Sequence, residues 1–199
     1  MIELLDPRKI GKGYRELWEK RGWSYRMDYN WIMQNVLRYK PGDILDVGPG
    51  SSKFGKFAAS QVGARYTGID RSKKMDFADY EPRTNHDCIM WVSSLEHNHA
   101  DVMRKLYLRS IEMLPAGGLL LVTVPAAPET YWYEPSEHLN MTCDFLCYMF
   151  DEEEVIGEYW DVQKAYHDDP DIKKRYIKRY GHWGDDDPVM ISAGVKKVK

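Results

Sequence analysis

A doubly wound α/β sheet is what this sequence predicts: mostly parallel, three layers deep, with an antiparallel last strand. Three observations carry the prediction. Short apolar runs alternate with helical stretches from Asp43 to Val124, the rhythm of parallel strands joined by right-handed crossovers. A glycine-rich turn, Gly48-Pro49-Gly50, separates the first of those runs from the helical stretch after it. An acidic residue, Asp70, closes the next run, twenty residues beyond Gly50.

The elements follow in order. Asp6-Pro7 is a helix-start signal, a cap followed by a first-turn proline, and predicts a helix towards Lys20. A second helix is expected from Trp31 to Tyr39, with Ile32, Val36 and Tyr39 on one face. Asp43-Ile44-Leu45-Asp46-Val47 reads as a strand, and a helix is expected from about Lys53 to Val62. Tyr66 to Asp70 is the second strand, and a short one is placed at Asp76-Phe77-Ala78. Cys88 to Val92 is continuously apolar, so a strand buried on both faces is expected there. Asp101 is placed to cap a helix running to Met113. Pro115-Ala116-Gly117-Gly118 turns the chain into a strand from Leu119 to Val124. The last third is read as a helix after Thr142, a strand near Tyr159 to Gln163, a charged insertion and a final strand from Val189 to Val195.

Composition narrows the function classes. The 199 residues suit one domain with its own core. The formal net charge of −3 argues against coating nucleic acid by bulk charge. The three cysteines, Cys88, Cys143 and Cys147, are an odd number and form no zinc-type pairs of pairs, and a reducing cytoplasm suits them. No signal-peptide pattern opens the chain and no run is apolar enough to span a bilayer, so a cytoplasmic protein without a membrane partner is expected.

The turn and the acid together describe a nucleotide site. Glycines at a strand–helix turn let a ligand approach the backbone at the positive end of the helix. A carboxylate at the end of the neighbouring strand can accept two hydrogen bonds from ribose hydroxyls. The dinucleotide pattern wants a third glycine three residues after the second, but Lys53 stands there and the next glycine is Gly55. Instead Asp46 precedes the turn. An acid there suits a ligand carrying an ammonium group rather than a pyrophosphate.

Ile44-Leu45-Asp46-Val47-Gly48-Pro49-Gly50 resembles the first motif of the class I S-adenosylmethionine-dependent methyltransferases, a Rossmann-like family. Tyr66-Thr67-Gly68-Ile69-Asp70 is similar to the second. Phe77-Ala78-Asp79-Tyr80 resembles the third, in a short form where the intervening helix is nearly deleted. His86-Asp87-Cys88-Ile89-Met90-Trp91-Val92-Ser93-Ser94-Leu95-Glu96-His97 resembles the fourth strand with its Leu-Glu-His tail, and Met113 to Pro125 the turn and fifth strand. The match runs from about Asp43 to Phe150. The resemblance implies S-adenosyl-L-methionine as cofactor and S-adenosyl-L-homocysteine as product. By position, Asp46 and the backbone of Gly48, Pro49 and Gly50 would hold the aminoacyl part. Asp70 would hold the ribose, with Arg71 beside it. Asp79 would accept from the adenine amino group next to the Tyr80 backbone, and Ser93 would lie near the sulfonium. The chain then divides into an N-terminal helical segment (residues 1–42), a cofactor-binding core (43–124) and a substrate side (125–199). Tyr25 and Tyr29 are placed to close over the cofactor.

The acceptor is less legible. His138 and His97 follow strands at the sheet edge where acceptor and methyl group would meet, and His138, then His97, is the choice of general base. Some relatives hold a divalent ion with a Glu-x-x-Glu-His pattern and a later histidine. Here Ser93 occupies the first Glu position, which removes a hard-ion ligand, so no metal is expected. Tyr131, Trp132 and Tyr133 either stack on a flat substrate or pack as a lid. Within the charged segment 168–187, Asp168 to Gly181 reads as a solvated or interface helix, because its acids come first and its cations last, and Asp185-Asp186-Asp187 beyond it would repel phosphate. The resulting expectation is methyl transfer to a hydroxyl of a small molecule or saccharide, nucleic acid being disfavoured. Its rivals are a pseudoenzyme of the same fold and an RNA or protein methyltransferase.

Overall fold

The computed structural model describes residues 1–9, 26–82, 85–134, 137–170 and 191–199. Seven strands form one sheet, β1 (Ile2–Leu4), β2 (Asp43–Val47), β3 (Arg65–Ile69), β4 (Cys88–Val92), β5 (Leu119–Ala126), β8 (Val155–Ile156) and β9 (Ile191–Val198), in the order β3-β2-β4-β5-β9-β1-β8. Strands β2, β3, β4 and β5 are mutually parallel, and β9 runs antiparallel to β5. Among the described residues five α-helices accompany them: α1 (Arg26–Tyr39), α2 (Phe54–Val62), α3 (Ala100–Met113), α4 (Cys143–Phe150) and α5 (Tyr159–Asp168).

The chain leaves β2 through α2 to reach β3 on one side, and leaves β4 through α3 to reach β5 on the other. Right-handed crossovers in opposite directions put those two helices on opposite faces. The strands between them are therefore buried on both sides: every residue of β2 and of β5, and all of β4 except Val92. Helix α1 joins the layer of α2. Its Trp31 lies against Gly194 of β9, where a Cβ would come within 2.6 Å of the indole. The indole N–H donates to Glu3 of β1.

Several expected elements are placed differently. Tyr159 to Gln163 is the start of helix α5, whose buried residues Tyr159, Val162, Gln163 and Tyr166 recur at helical spacing; its aromatic, β-branched composition imitates a strand. Asp76-Phe77-Ala78 is no strand either. The Asp76 carboxylate accepts the Ala78 N–H at 3.0 Å and closes a 3-10 turn over Phe77–Asp79. Helix α3 begins at Ala100, with Asp101 in its first turn instead of capping it. Tyr39 is 40 % exposed, while Ile32 and Val36 are wholly buried. Asp6-Pro7 opens a single 3-10 turn, Pro7–Lys9; the rest of that expected helix and the charged segment from residue 171 lie outside the described residues.

Three features have no counterpart in the expectation. Strand β1 takes the place beside β9, and β8 pairs parallel to it at the sheet's edge. The loop after β5 forms a two-stranded ribbon, β6 (Tyr131–Tyr133) with β7 (His138–Asn140). At the N-terminal ends of the parallel strands, buried His86 bridges Asp43 (2.9 Å) and the Tyr80 hydroxyl (2.9 Å). That network sits at the end of the sheet opposite the glycine turn. Among the described residues no helix is long and apolar enough to cross a membrane.

Candidate functional site

An open cleft of about 200 Å³ lies at the C-terminal ends of β2, β3 and β4, where open α/β sheets bind ligands. Gly48 and Asp70 reach it from the ends of β2 and β3, and Phe77, Trp91 and Leu106 supply an apolar wall. The Phe77 and Trp91 rings meet edge to face at 4.9 Å.

The turn is built for close approach. Gly48 has φ +73° and a Cβ there would meet Ser94 Cβ at 2.7 Å. Gly50 has φ +54° with nothing within 4 Å of an added Cβ, so its backbone conformation, not crowding, calls for glycine. The Gly48 N–H donates to Ile69 and ties the turn to β3. Asp70 braces the same turn: one carboxylate oxygen accepts the Gly50 N–H at 2.7 Å, the other accepts Ser72 N–H and Oγ at 2.9 and 2.5 Å. Partial burial works to raise the Asp70 pKa, but the bonds from Ser72 and from the Gly50 and Ser72 amides hold it below the usual carboxylate range. A carboxylate offers about four lone-pair sites, so the oxygen facing Gly50 retains accepting capacity for a ligand hydroxyl.

Asp46 is 3 % exposed and lies under the first turn of α2, outside the cleft lining. It accepts the Tyr66 hydroxyl at 3.0 Å. Room for it comes from Gly55, where a Cβ would stand 2.0 Å from its oxygen and 2.5 Å from Met90 Cε. Gly55, which reads in sequence only as a glycine too late for the dinucleotide pattern, thus seats the acid beneath the turn. Burial pushes the Asp46 pKa up to about 7, partly offset by the Tyr66 hydroxyl, with the Asp70 charge adding to the rise.

The remaining candidates divide between the cleft and its surroundings. Arg71 lines the cleft, with Nε on Asp76 (2.8 Å) and a terminal nitrogen on Asn98 (3.0 Å). Asp79 and Tyr80 line an adjacent outer depression; Asp79 is exposed, while Asp76 and Phe77 face the cleft itself. Pro49 is half-buried between the two glycines. Ser93 stands just past β4 with φ +47°, its hydroxyl donating to Asp28 at 2.7 Å. His97 is exposed, lines the cleft and bonds the Glu137 carbonyl through Nδ1 at 2.8 Å. His138 is 5 % exposed, and its ring lies 6.0 Å from that of His97, nearly perpendicular. Tyr29 stacks on Phe54 at 4.0 Å and shares a hydrogen bond with Ser52 beside the turn; Tyr25 lies outside the described residues. Trp132 stacks on His99 at 4.7 Å, whereas Tyr131 is 45 % exposed. Among the described residues no group of three or more His, Cys, Asp or Glu could hold a metal ion.

Asp28 carries no motif and enters only through tertiary structure, and the burial of Glu96, which belongs to the Leu-Glu-His tail, is likewise a tertiary fact. Burial raises the Asp28 pKa to about 6 against hydrogen bonds from Ser93 and Ser192. It raises that of Glu96 well above the ordinary range, and the Asp28 charge adds to this. All three buried acids, Asp28, Asp46 and Glu96, hold protons more tightly folded than unfolded. The folded state therefore binds the extra protons between roughly pH 4 and pH 7, and stability falls as pH rises through that window. Asp70 and Asp76 are shifted downward; their contribution is present above the ordinary carboxylate range and lost only below it. The ligand-free protein is expected to unfold at a higher temperature at about pH 5 than at about pH 7.5. Asp46→Asn should flatten the slope, since its amide does not titrate. A parent and variant with parallel pH profiles would show that Asp46 ionises normally.

No family model matches the sequence, and no curated protein matches it. Solved structures do. The chain is similar to the 1,6-didemethyltoxoflavin-N1-methyltransferase of Burkholderia thailandensis, with bound 1,6-didemethyltoxoflavin and S-adenosylhomocysteine. The identity is 13 %, the match covers 93 % of this chain and 81 % of that one, and the TM-score is 0.53. An O-methyltransferase from a trans-AT PKS multienzyme of Brevibacillus brevis, in complex with S-adenosyl-L-homocysteine, matches at 14 % identity over 98 % and 83 %, with a TM-score of 0.51.

The fold is that of the class I methyltransferases. The [4+2]-cyclase SpnF shares it, at 15 % identity over 87 % of this chain and 81 % of that one, with a TM-score of 0.58. The class I methyltransferase fold thus accounts for the mostly parallel sheet and its reversed strand β9, while function must be argued from the site.

Proposed function

We propose that this chain binds S-adenosylmethionine in the cleft at the ends of β2, β3 and β4 and transfers its methyl group to a small molecule. The observation that carries the reading is the glycine turn braced by Asp70. Its backbone is open at Gly50, and a carboxylate with spare accepting capacity stands at the end of the neighbouring strand. The residues suit the cofactor. Asp70 would take the ribose hydroxyls. The Phe77–Trp91 wall suits a flat purine, with Asp76 rather than Asp79 nearer the cleft. The Gly48–Gly50 backbone would face the aminoacyl end, and Asp46 beneath it favours an ammonium over a phosphate. Bound there, the cofactor supplies an electrophilic methyl on a sulfonium. The protein's part is then to align an acceptor and exclude water. His97 at the cleft and His138 behind it are the bases a hydroxyl acceptor would use.

Titration calorimetry tests this. S-adenosylhomocysteine is expected to bind and NAD is not. Tight NAD binding with no response to S-adenosylhomocysteine would overturn the reading. SpnF favours a second one, because a cyclase carries the same fold: a chain that holds the cofactor without transferring methyl. Transfer of labelled methyl to an acceptor decides between them.

A further inference from the structure

Beside the cleft, a buried polar cluster gathers side chains from separate parts of the chain. Asp28 comes from α1, Ser93 from the end of β4 and Glu96 from the turn after it. Ser93 donates to one oxygen of Asp28 at 2.7 Å, and Ser192 at the start of β9 also bonds that acid. The turn carrying Glu96 packs against β7, which carries Asn140. Ser94 and His97, the chain neighbours of Ser93 and Glu96, line the cleft, so the cluster adjoins it.

The hydrogen bonding of this cluster is lopsided. Asp28 Oδ1, Glu96 Oε2 and Asn140 Oδ1 meet no donor, although the three residues are only 2 %, 4 % and 1 % exposed. Buried polar atoms in native proteins are nearly always paired. Two acids near each other in an apolar interior oppose folding more than hydrophobic residues of the same size would. With both acids ionised, what these three atoms lack is one thing, hydrogen-bond donors, and two of them belong to carboxylates. A hydroxyl ligand offers one donor and no charge. A phosphate or carboxylate ligand would add acceptors where acceptors are already in surplus. A protonated amine offers two or three N–H donors together with the compensating charge.

We propose that Asp28 and Glu96 form the recognition site for a cationic amine, so that the acceptor of the reaction is an amine rather than a hydroxyl. That the amine is the methyl acceptor rests on the cofactor reading; that it binds here does not. The same residues handle its proton. An ammonium has no free electron pair, so one N–H bond must break. The pair stays on nitrogen and the proton moves to a carboxylate oxygen of Asp28 or Glu96, leaving a neutral amine beside a carboxylic acid. Asn140, on the strand that packs against the Glu96 turn, would accept a further N–H.

Methylammonium chloride is the probe, being small enough for any amine subsite. The folded protein, labelled with carbon-13 at its carboxyl groups, is titrated to about 100 mM against potassium chloride at equal ionic strength, with unfolding followed in parallel. The Asp28 and Glu96 carboxyl resonances are expected to shift saturably with methylammonium and not with potassium, and the unfolding midpoint to rise. Glu96→Gln and Asp28→Asn should each weaken the response by about tenfold, the worth of one charge-assisted hydrogen bond. Both amides fill the space of the acids they replace, and Glu96→Gln should still bind S-adenosylhomocysteine like the parent. No saturable shift, an equal shift with potassium, or an undiminished response in both variants would overturn the proposal. A methylammonium response in a protein that ignores S-adenosylhomocysteine would instead overturn the cofactor reading and leave the amine site standing.

Discussion

Gly55→Ala should destabilise the protein by about 2–3 kcal/mol, the upper part of the usual range for overpacking a filled interior. For a chain of this size that lowers the unfolding midpoint by roughly 5–10 °C. The added methyl would stand 2.0 Å from an Asp46 carboxylate oxygen and 2.5 Å from Met90 Cε. Met90 can move the free end of its side chain. Asp46 cannot move so easily, because it is buried and bonded to Tyr66. Either α2 lifts from the sheet, or the acid swings and loses the Tyr66 hydroxyl. Alanine would otherwise favour the helix by roughly 1 kcal/mol, so the net loss measures the clash. Asp46→Ala in the same molecule should recover most of it, since the offending oxygen is gone. The double-mutant cycle over Gly55 and Asp46, read by thermal unfolding, should therefore show a coupling of at least about 1 kcal/mol. Additive effects would mean that the acid and the helix do not contend for this space.

Asp70→Ala is expected to weaken S-adenosylhomocysteine binding by about 10- to 1,000-fold, because hydrogen bonds to a charged acceptor contribute roughly 1.5–3 kcal/mol each. The empty protein should lose about 1 kcal/mol of stability, as for a lost cap. Asp70 accepts from Gly50 and from Ser72, so it also holds the turn in the empty protein. Asp70→Asn should fall between, keeping an acceptor for Ser72 but not the charge. Ser72→Ala separates the two roles: it removes the hydroxyl bond to Asp70 and should leave affinity within a few-fold of the parent. Calorimetry beside thermal unfolding reads all three. Parental affinity in Asp70→Ala would make the residue a brace of the turn and nothing more, and a Ser72→Ala loss as large as that of Asp70→Ala would say the same.

Strand–helix alternation, the Gly48–Gly50 turn and the acid at Asp70 are local signals, written in residues a few positions apart, and they predicted the sheet and the cleft in their observed places. They did so because a turn with positive φ and strands buried on both faces constrain the residues that compose them. The sequence alone could not rank Asp76 above Asp79 at the cleft, since that depends on an Asx turn replacing the expected strand. It likewise read Tyr159 to Gln163 as a strand, because the buried face that makes it a helix exists only once β9 and β1 are in position. Strand β1 is a long-range pairing with no local mark, whereas the Tyr131–Asn140 ribbon is a short hairpin whose aromatic residues read equally as a substrate wall or a lid. Asp28 belongs to the same class as β1: it lies 65 residues from Ser93 in the chain and meets it only where α1 crosses the strand ends. An acid's burial, and hence its protonation and its need for a partner, is a property of everything packed around it. The sequence therefore determined the fold and the place of the cleft at the ends of β2, β3 and β4, while the packing of α1 and the ribbon against the strand ends decided which acids are buried beside it.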